Sequence, residues 1–156
     1  MSKPGGPSYE ATIHVRDHCM CLHVQRAARA LARRFDDALK PVGLTNQQFS
    51  LLMSLNRPQP PRMKEVALLL ALDRTTLTAN LKPLERRGLV VVAPDAEDRR
   101  GRRLAVTDHG RALLADALPH WVRTEQEIER DISNPDSMRA RWSGSEAFAQ
   151  PFPKSR

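Results

Sequence analysis

Residues 72–107 read LDRTTLTANLKPLERRGLVVVAPDAEDRRGRRLAVT, and the pattern of this stretch decides the fold. Asp73 is a residue type that commonly caps the start of a helix. Three leucines at helical spacing would form the buried face of that helix: Leu77, Leu81 and Leu84. Gly88 stands where helices commonly end in a left-handed residue. The stretch therefore opens with a predicted helix that ends just before Gly88.

Two short apolar runs follow this helix. Residues 89–93 are too few and too rich in valine for another helix, so they predict a strand. Residues 104–107 predict a second strand, separated from the first by a polar loop at 94–103. The two strands and their loop form a predicted β-hairpin.

Other helices precede this block. Thr45 and Gln48 have the spacing of a capping box and open a helix that stops before Pro58. A short apolar pattern over residues 62–70 predicts the next helix. Apolar residues at steps of three and four over residues 15–40 predict a longer helix at the N-terminal side.

One more helix follows the hairpin. Thr107 can cap it, Pro119 should bend it, and its apolar positions reach Ile132. The order of elements predicts a mainly α fold with a small β-hairpin, a winged helix-turn-helix flanked by N- and C-terminal dimerisation helices. The flanking helices carry apolar stripes that the small central block cannot cover, so we expect a two-fold homodimer.

This organisation divides the chain into segments. The expected segments are a disordered tail at 1–12, one domain at 13–134, and an irregular C-terminal tail at 135–156. Within the domain we expect a DNA-binding winged block at 45–107, with dimerisation helices at 13–44 and 108–134.

The composition indicates which classes of partner the chain can bind. The chain carries 25 Lys and Arg against 18 Asp and Glu, and this charge of +7 favours phosphate-rich partners. No apolar run approaches the roughly 20 residues needed to cross a membrane, and the start lacks the apolar run of a secretory signal. We therefore expect a cytoplasmic protein, no membrane partner and, for its two cysteines, reduced thiols.

The sequence offers little for catalysis. It contains no nucleophile elbow, phosphate-cradling glycine loop, HExxH motif or spaced carboxylate pair. We expect neither an enzyme nor a cofactor. Among DNA-binding proteins, an architectural protein that has no ligand is the alternative to a ligand-responsive regulator.

The face of the helix opposite its leucines carries short or basic side chains, which suit close approach to DNA. They are Thr75, Ala79, Lys82 and Arg86, flanked by Thr76 and Thr78. Pro83 interrupts the hydrogen bonding of the helix. We therefore expect base contacts from the half before it, leaving Lys82 and Arg86 for phosphates. The alternative is an ordinary solvated helix face.

The loop between the strands is strongly basic. Four arginines surround Gly101 in the hairpin loop: Arg99, Arg100, Arg102 and Arg103. Such a tip suits a minor groove, where the potential of DNA is most negative. A solvated charged loop is the alternative.

Several segments together resemble the MarR family of transcriptional regulators. Asp98-x-Arg100 followed by Val106-Thr107 is similar to its wing signature, and 72–78, 84–90 and 107–110 are similar to other family segments. The resemblance extends over about 19–132.

The resemblance implies roles for particular residues. Arg100 would enter the minor groove, and Asp98 would orient the wing. Thr75, Thr76, Thr78 and Lys82 match recognition-helix positions. It also implies a dimer on a pseudo-palindromic duplex operator, acting as a repressor that a small amphipathic or aromatic effector releases. Chains of this family usually end in a longer dimerising helix. Here the sequence after Asn134 is polar and its apolar spacing is broken, so it does not predict such a helix.

A cluster of histidines and cysteines supports an alternative, a redox- or metal-responsive regulator. On one continuous helix, His14, His18 and Cys21 would share a face and could hold a transition metal. By the resemblance, Cys21 matches a peroxide-reactive cysteine, but Gln25 and Phe35 stand where tyrosines support its thiolate. We therefore expect little peroxide sensitivity. Cysteines packed as small apolar residues at a subunit interface are the third interpretation.

Overall fold

The computed structural model describes residues 5–98 and 101–143, with side chains described as far as Arg139. The helices are α1 (Tyr9–His18), α2 (Met20–Leu39), a short 3-10 helix (Lys40–Val42), α3 (Asn46–Leu55), α4 (Met63–Leu69), α5 (Arg74–Arg86), α6 (Asp108–Asp131) and α7 (Pro135–Ser143). The strands are β1 (Val90–Pro94) and β2 (Arg102–Val106). None of the described helices is both long and apolar enough to cross a bilayer.

The central block is a winged helix-turn-helix, and this prediction is confirmed. Helices α3, α4 and α5 pack around one apolar core that also contains residues of both strands. The leucines at 77, 81 and 84 are at most 1% exposed, as their spacing predicts. Thr45 and Gln48 form the predicted capping box, and Gly88 has the predicted left-handed backbone, with a φ of 68°.

The strands form the predicted antiparallel hairpin. Their register runs from Val90 opposite Val106 to Pro94 opposite Arg102. The paired region thus reaches further into the loop than the apolar pattern indicates, because the polar end of β2 pairs as well. Strand β2 also bonds to the segment before α4, because the Leu104 amide donates to the Pro61 carbonyl at 3.0 Å.

The N-terminal segment corrects two predictions. The tail expected through residue 12 is wrong from Tyr9 onward, because Ser8 caps α1 by accepting a hydrogen bond from the Ala11 amide at 3.2 Å. The single helix expected from residue 15 is interrupted at Cys19, which is extended and caps α2. The Asp17 carbonyl, which a continuous helix would bond internally, instead contacts a ring nitrogen of His23 at 3.1 Å.

The C-terminal segment corrects a third prediction. Residues 135–143 form helix α7 rather than an irregular tail. Asn134 accepts a hydrogen bond from the Ser137 amide at 2.9 Å, and Pro135 occupies the first helical position, where proline is favoured. The residues after Ser143 lie outside the described part of the chain. The assignment of dimerisation and DNA-binding segments stays a prediction.

Helices α2 and α6 pack together beneath the winged block. A column of aromatic rings joins them to α3: Phe35 stacks on Trp121, and Trp121 stacks on Phe49, each pair with ring centroids 6.3 Å apart. The first half of α2 is different, because from Met20 to Ala30 only Leu22 is even partly buried. The first half of the predicted apolar stripe of this helix is therefore left uncovered within one chain.

Candidate nucleic-acid interface

Helix α5 presents the predicted face to solvent. Its leucines lie in the core, so the opposite side points away from the block. Five of the six helix residues predicted to contact DNA are exposed: Thr75, Thr78, Ala79, Lys82 and Arg86. Helix α5 runs through Pro83 without a break. The face is therefore continuous, accessible and basic at its C-terminal end.

The two flanking threonines have local roles. Thr76 is partly buried, and its amide and hydroxyl both donate to the Asp73 carboxylate, at 2.8 and 2.7 Å. These bonds hold the pKa of Asp73 below its ordinary value, the hydroxyl bond being the main cause. Thr78 is exposed, but its hydroxyl donates to the Arg74 carbonyl at 2.7 Å. Thr76 thus fixes the start of α5, and Thr78 offers mainly its methyl group to a ligand.

The base of the wing contains a buried carboxylate that the sequence analysis did not single out. The side chain of Asp95 is only 1% exposed and lies between two guanidinium groups. Arg62, at the start of α4, donates to it at 2.7 Å, and Arg103 of β2 lies 3.2 Å away. The Glu97 amide also donates to this carboxylate at 3.0 Å. Asp95 therefore joins the wing to the helix-turn-helix.

A second layer of contacts surrounds this group. Glu97 pairs with Arg62 at 2.7 Å and with Arg103 at 3.7 Å, and Arg103 also donates to the Pro60 carbonyl at 3.1 Å. The prediction that all four arginines lie at the tip of the wing is wrong for Arg103, because carboxylates at the wing base hold its guanidinium. Together Arg62, Asp95, Glu97 and Arg103 form what we call the wing-base network.

The remaining predicted wing residues are only partly described. Asp98 is exposed, and its carbonyl accepts a hydrogen bond from the Gly101 amide at 2.8 Å, which closes the loop. Arg102 is exposed and donates to the neighbouring Gly101 carbonyl at 3.1 Å. Arg99 and Arg100 lie outside the described residues. Contacts between any of these residues and DNA stay a prediction.

The wing-base network had a weak signal in the sequence. Arg62 stands 33 residues before Asp95, so only the fold reveals that they meet. A group of three acids at the end of a strand, Asp95, Glu97 and Asp98, followed by four arginines, is the one local indication. Charge patterning along a single segment cannot identify such a pair.

The histidine and cysteine residues are not arranged as predicted. The break at Cys19 places His14 and His18 on α1 and Cys21 on α2, so the shared helical face does not exist. The two histidine rings stack on each other at 4.2 Å. Across the described residues, no three His, Cys, Asp or Glu side chains are grouped closely enough to hold a metal.

Cys21 itself is exposed, and it has one polar neighbour. The Gln25 side-chain amide donates to its sulfur at 3.3 Å. Phe35, which stands at the second position where the resemblance implies a tyrosine, is buried against Trp121. The redox interpretation of Cys21 stays a prediction.

We expect Asp95→Asn to weaken DNA binding by about tenfold, the scale of one lost DNA contact, without loss of helix content. The change removes the charge that holds Arg62 and Arg103 together, so the wing would no longer be fixed relative to α5. Affinity for a duplex and circular dichroism check this result. The control is Glu97→Gln, whose exposed carboxylate should matter less because solvent screens it. Equal effects of the two changes would contradict the role of Asp95.

The same variant should alter the acid stability of the protein. The Glu97 amide, and then Arg62 and Arg103, hold the pKa of Asp95 below its ordinary value. The resulting stabilisation is fully present at neutral pH and is lost as the pH falls below about 4 toward the lowered pKa. Urea unfolding at several pH values should show that component in the natural chain and not in Asp95→Asn.

Comparison with known proteins places this geometry in context. The family model described as MarR family matches residues 42–101, which contain α3 to α5, β1 and the described start of the wing loop. The regulator TtmR of Methylorubrum extorquens is 38% identical over 108 residues. That match covers 68% of this chain but only 55% of TtmR, so the chain spans about half the length of that relative.

Solved structures of other regulators resemble most of the chain. The transcriptional regulator MosR of M. tuberculosis, solved in complex with DNA, is 36% identical with a TM-score of 0.76. That alignment covers 86% of this chain and 100% of MosR. CouR from Rhodococcus jostii RHA1, solved bound to p-coumaroyl-CoA, is 25% identical with a TM-score of 0.67. It covers 80% of this chain and 88% of CouR.

Proposed function

The chain belongs to the MarR family of transcriptional regulators, and from this premise we propose that it binds duplex DNA sequence-specifically as a homodimer. We propose further that it is a repressor, released from a pseudo-palindromic operator by a small amphipathic or aromatic ligand. The family consists of regulators rather than enzymes.

The proposal rests mainly on one observation, that the open face of α5 and the wing lie next to each other. The open face of α5 lies beside a wing whose base is tied to the start of α4 by Asp95. A helix with short side chains fits the major groove, and an arginine-rich loop fits the adjacent minor groove. The structural similarity to MosR, which was solved with DNA, supports the same use of these elements here.

Uncovered apolar surface supports the dimer. Helix α1 has no buried residue, and the first half of α2 is exposed. On α6, Leu118 and Val122 are 42% and 38% exposed. A second copy that covers these helices would bury apolar area and would place two α5 helices about one turn of DNA apart, roughly 34–36 Å.

The affinity for duplex DNA should fall steeply with salt. Two wings and two helix ends would supply about 6 to 10 phosphate contacts, so the affinity should drop by about 10³ to 10⁵ between 50 and 200 mM salt.

Arg100→Ala should cost about 1–3 kcal/mol of binding free energy and leave the melting temperature unchanged. Fluorescence anisotropy with a labelled duplex measures both effects.

The matched control for this experiment is Arg123→Ala. Arg123 is exposed on α6 and is not among the residues proposed to contact DNA, so its removal lowers the charge by the same amount. Equal losses in the two variants would show that only net charge matters. Binding that is indifferent to salt would overturn the proposal itself.

A further inference from the structure

A cavity of about 140 Å³ lies between α2, α6 and α7, away from the winged block. Six of its nine lining residues are apolar: Leu31, Phe35, Ile128, Ile132, Pro135 and Met138. An apolar cavity of about 150 Å³ is enough to hold one benzene molecule. The volume therefore has room for a single six-membered ring.

The polar groups at this cavity are mostly carboxylates. Glu125 and Glu129 line it together with Arg139 of α7. Arg139 donates to both of them, at 3.2 and 2.8 Å, and to Asp136 at 2.6 Å. Two carboxylates and one guanidinium thus line the cavity, a formal charge of −1, and Asp136, which lies outside the lining, pairs with the same guanidinium. A ligand that brings another negative charge would be repelled, and one that brings a positive charge would be attracted.

We propose that this cavity binds the effector, and that the effector is a single-ring compound with a protonated amine rather than a carboxylate or phosphate. The ring would fill the space beside Phe35, and the ammonium group would bind the Glu125 and Glu129 carboxylates in place of the Arg139 guanidinium, which contacts both of them. This inference rests on the proposed function, because it names the ligand class to which the regulator responds.

The aromatic column gives the cavity a route to the winged block. Phe35 forms part of the cavity wall, stacks on Trp121 and so connects to Phe49 of α3. Phe49 belongs to the same core as Leu77 and Leu81 of α5. A ring placed against Phe35 therefore presses on packed groups that reach the recognition helix, and it changes the surroundings of Trp121.

Trp121 can report occupancy of the cavity through its contact with Phe35. The chain has two tryptophans, so Trp142→Phe leaves Trp121 as the single indole. In that background we would titrate 2-phenylethylamine and 3-phenylpropanoate, which share a ring and differ in charge, and record the fluorescence. We expect the amine to bind at least about tenfold more tightly, a difference of about 1.4 kcal/mol.

Two substitutions on α6 test the role of the carboxylates. Glu129→Gln should reduce the preference for the amine severalfold. Glu127→Gln is the control, because Glu127 is exposed, does not line the cavity and pairs with Arg34 at 4.0 Å. Equal binding of the two probes, no response of Trp121 to either, or equal effects of the two substitutions would overturn the proposal.

Two independent measurements distinguish a failure of this proposal from a failure of the proposed function. Affinity for duplex DNA without any probe tests the regulator, whereas the Trp121 titration without DNA tests the cavity. We expect the amine to lower the affinity for DNA. Binding of the amine with no change in DNA affinity would overturn the role of the cavity as an effector site.

Discussion

Gly110→Ala is expected to destabilise the fold by more than about 3 kcal/mol, beyond the usual range for overpacking. A Cβ atom at Gly110 would overlap the Leu89 carbonyl oxygen and would lie 2.7 Å from a methyl group of Val106. The first of these atoms is backbone, so it cannot turn away as a flexible side chain can. Helix propensity alone predicts the opposite sign, a gain of about 1 kcal/mol for alanine.

Urea unfolding followed by circular dichroism decides between these two effects. His109→Ala is the control, because His109 is the exposed neighbour on the same helix and should change stability by less than about 0.5 kcal/mol. A Gly110→Ala protein as stable as the natural chain would show that the close approach of α6 to the start of β1 is wrong.

Deletion of residues 1–40 is expected to leave a protein that aggregates or does not fold. The deletion removes Phe35 and Leu39, which are 9% and 0% exposed, and it uncovers Trp121 and Ile128 on α6. Loss of each buried side chain costs about 2–5 kcal/mol, which together approaches the whole stability of an ordinary domain, about 5–15 kcal/mol.

A shorter deletion provides the comparison. Removal of residues 1–18 takes away α1, none of whose residues is buried, so the winged block should keep its cooperative unfolding. Circular dichroism and sedimentation velocity measure both outcomes. A folded, monodisperse protein lacking residues 1–40 would contradict the packing of α2 against α6.

The winged block was predictable because its signals are local. The cap at Asp73, the leucine spacing of α5 and the left-handed Gly88 each depend on residues within a few positions of one another. The same holds for the hairpin, since β-branched runs separated by a polar loop leave few alternatives. These features specify elements, and the elements in this order specify the fold.

The errors arose where distant residues meet or where a local signal was overlooked. Arg103 belongs to the basic loop in the sequence, yet it pairs with Asp95 at the wing base. Asn134 and Pro135 suit the start of a helix, but the polar pattern after Asn134 lacks the apolar spacing that predicts one. The cavity beneath α7 depends on three helices and has no signature in any one of them.

The central claim is that two copies of this chain read one duplex site through α5 and the wing. Selection of bound duplexes from a random library tests it most directly. We predict enrichment of a pseudo-palindrome whose half-sites are about 10 base pairs apart, centre to centre. Enrichment of a single half-site by a monomer, or no enrichment at all, would contradict the account.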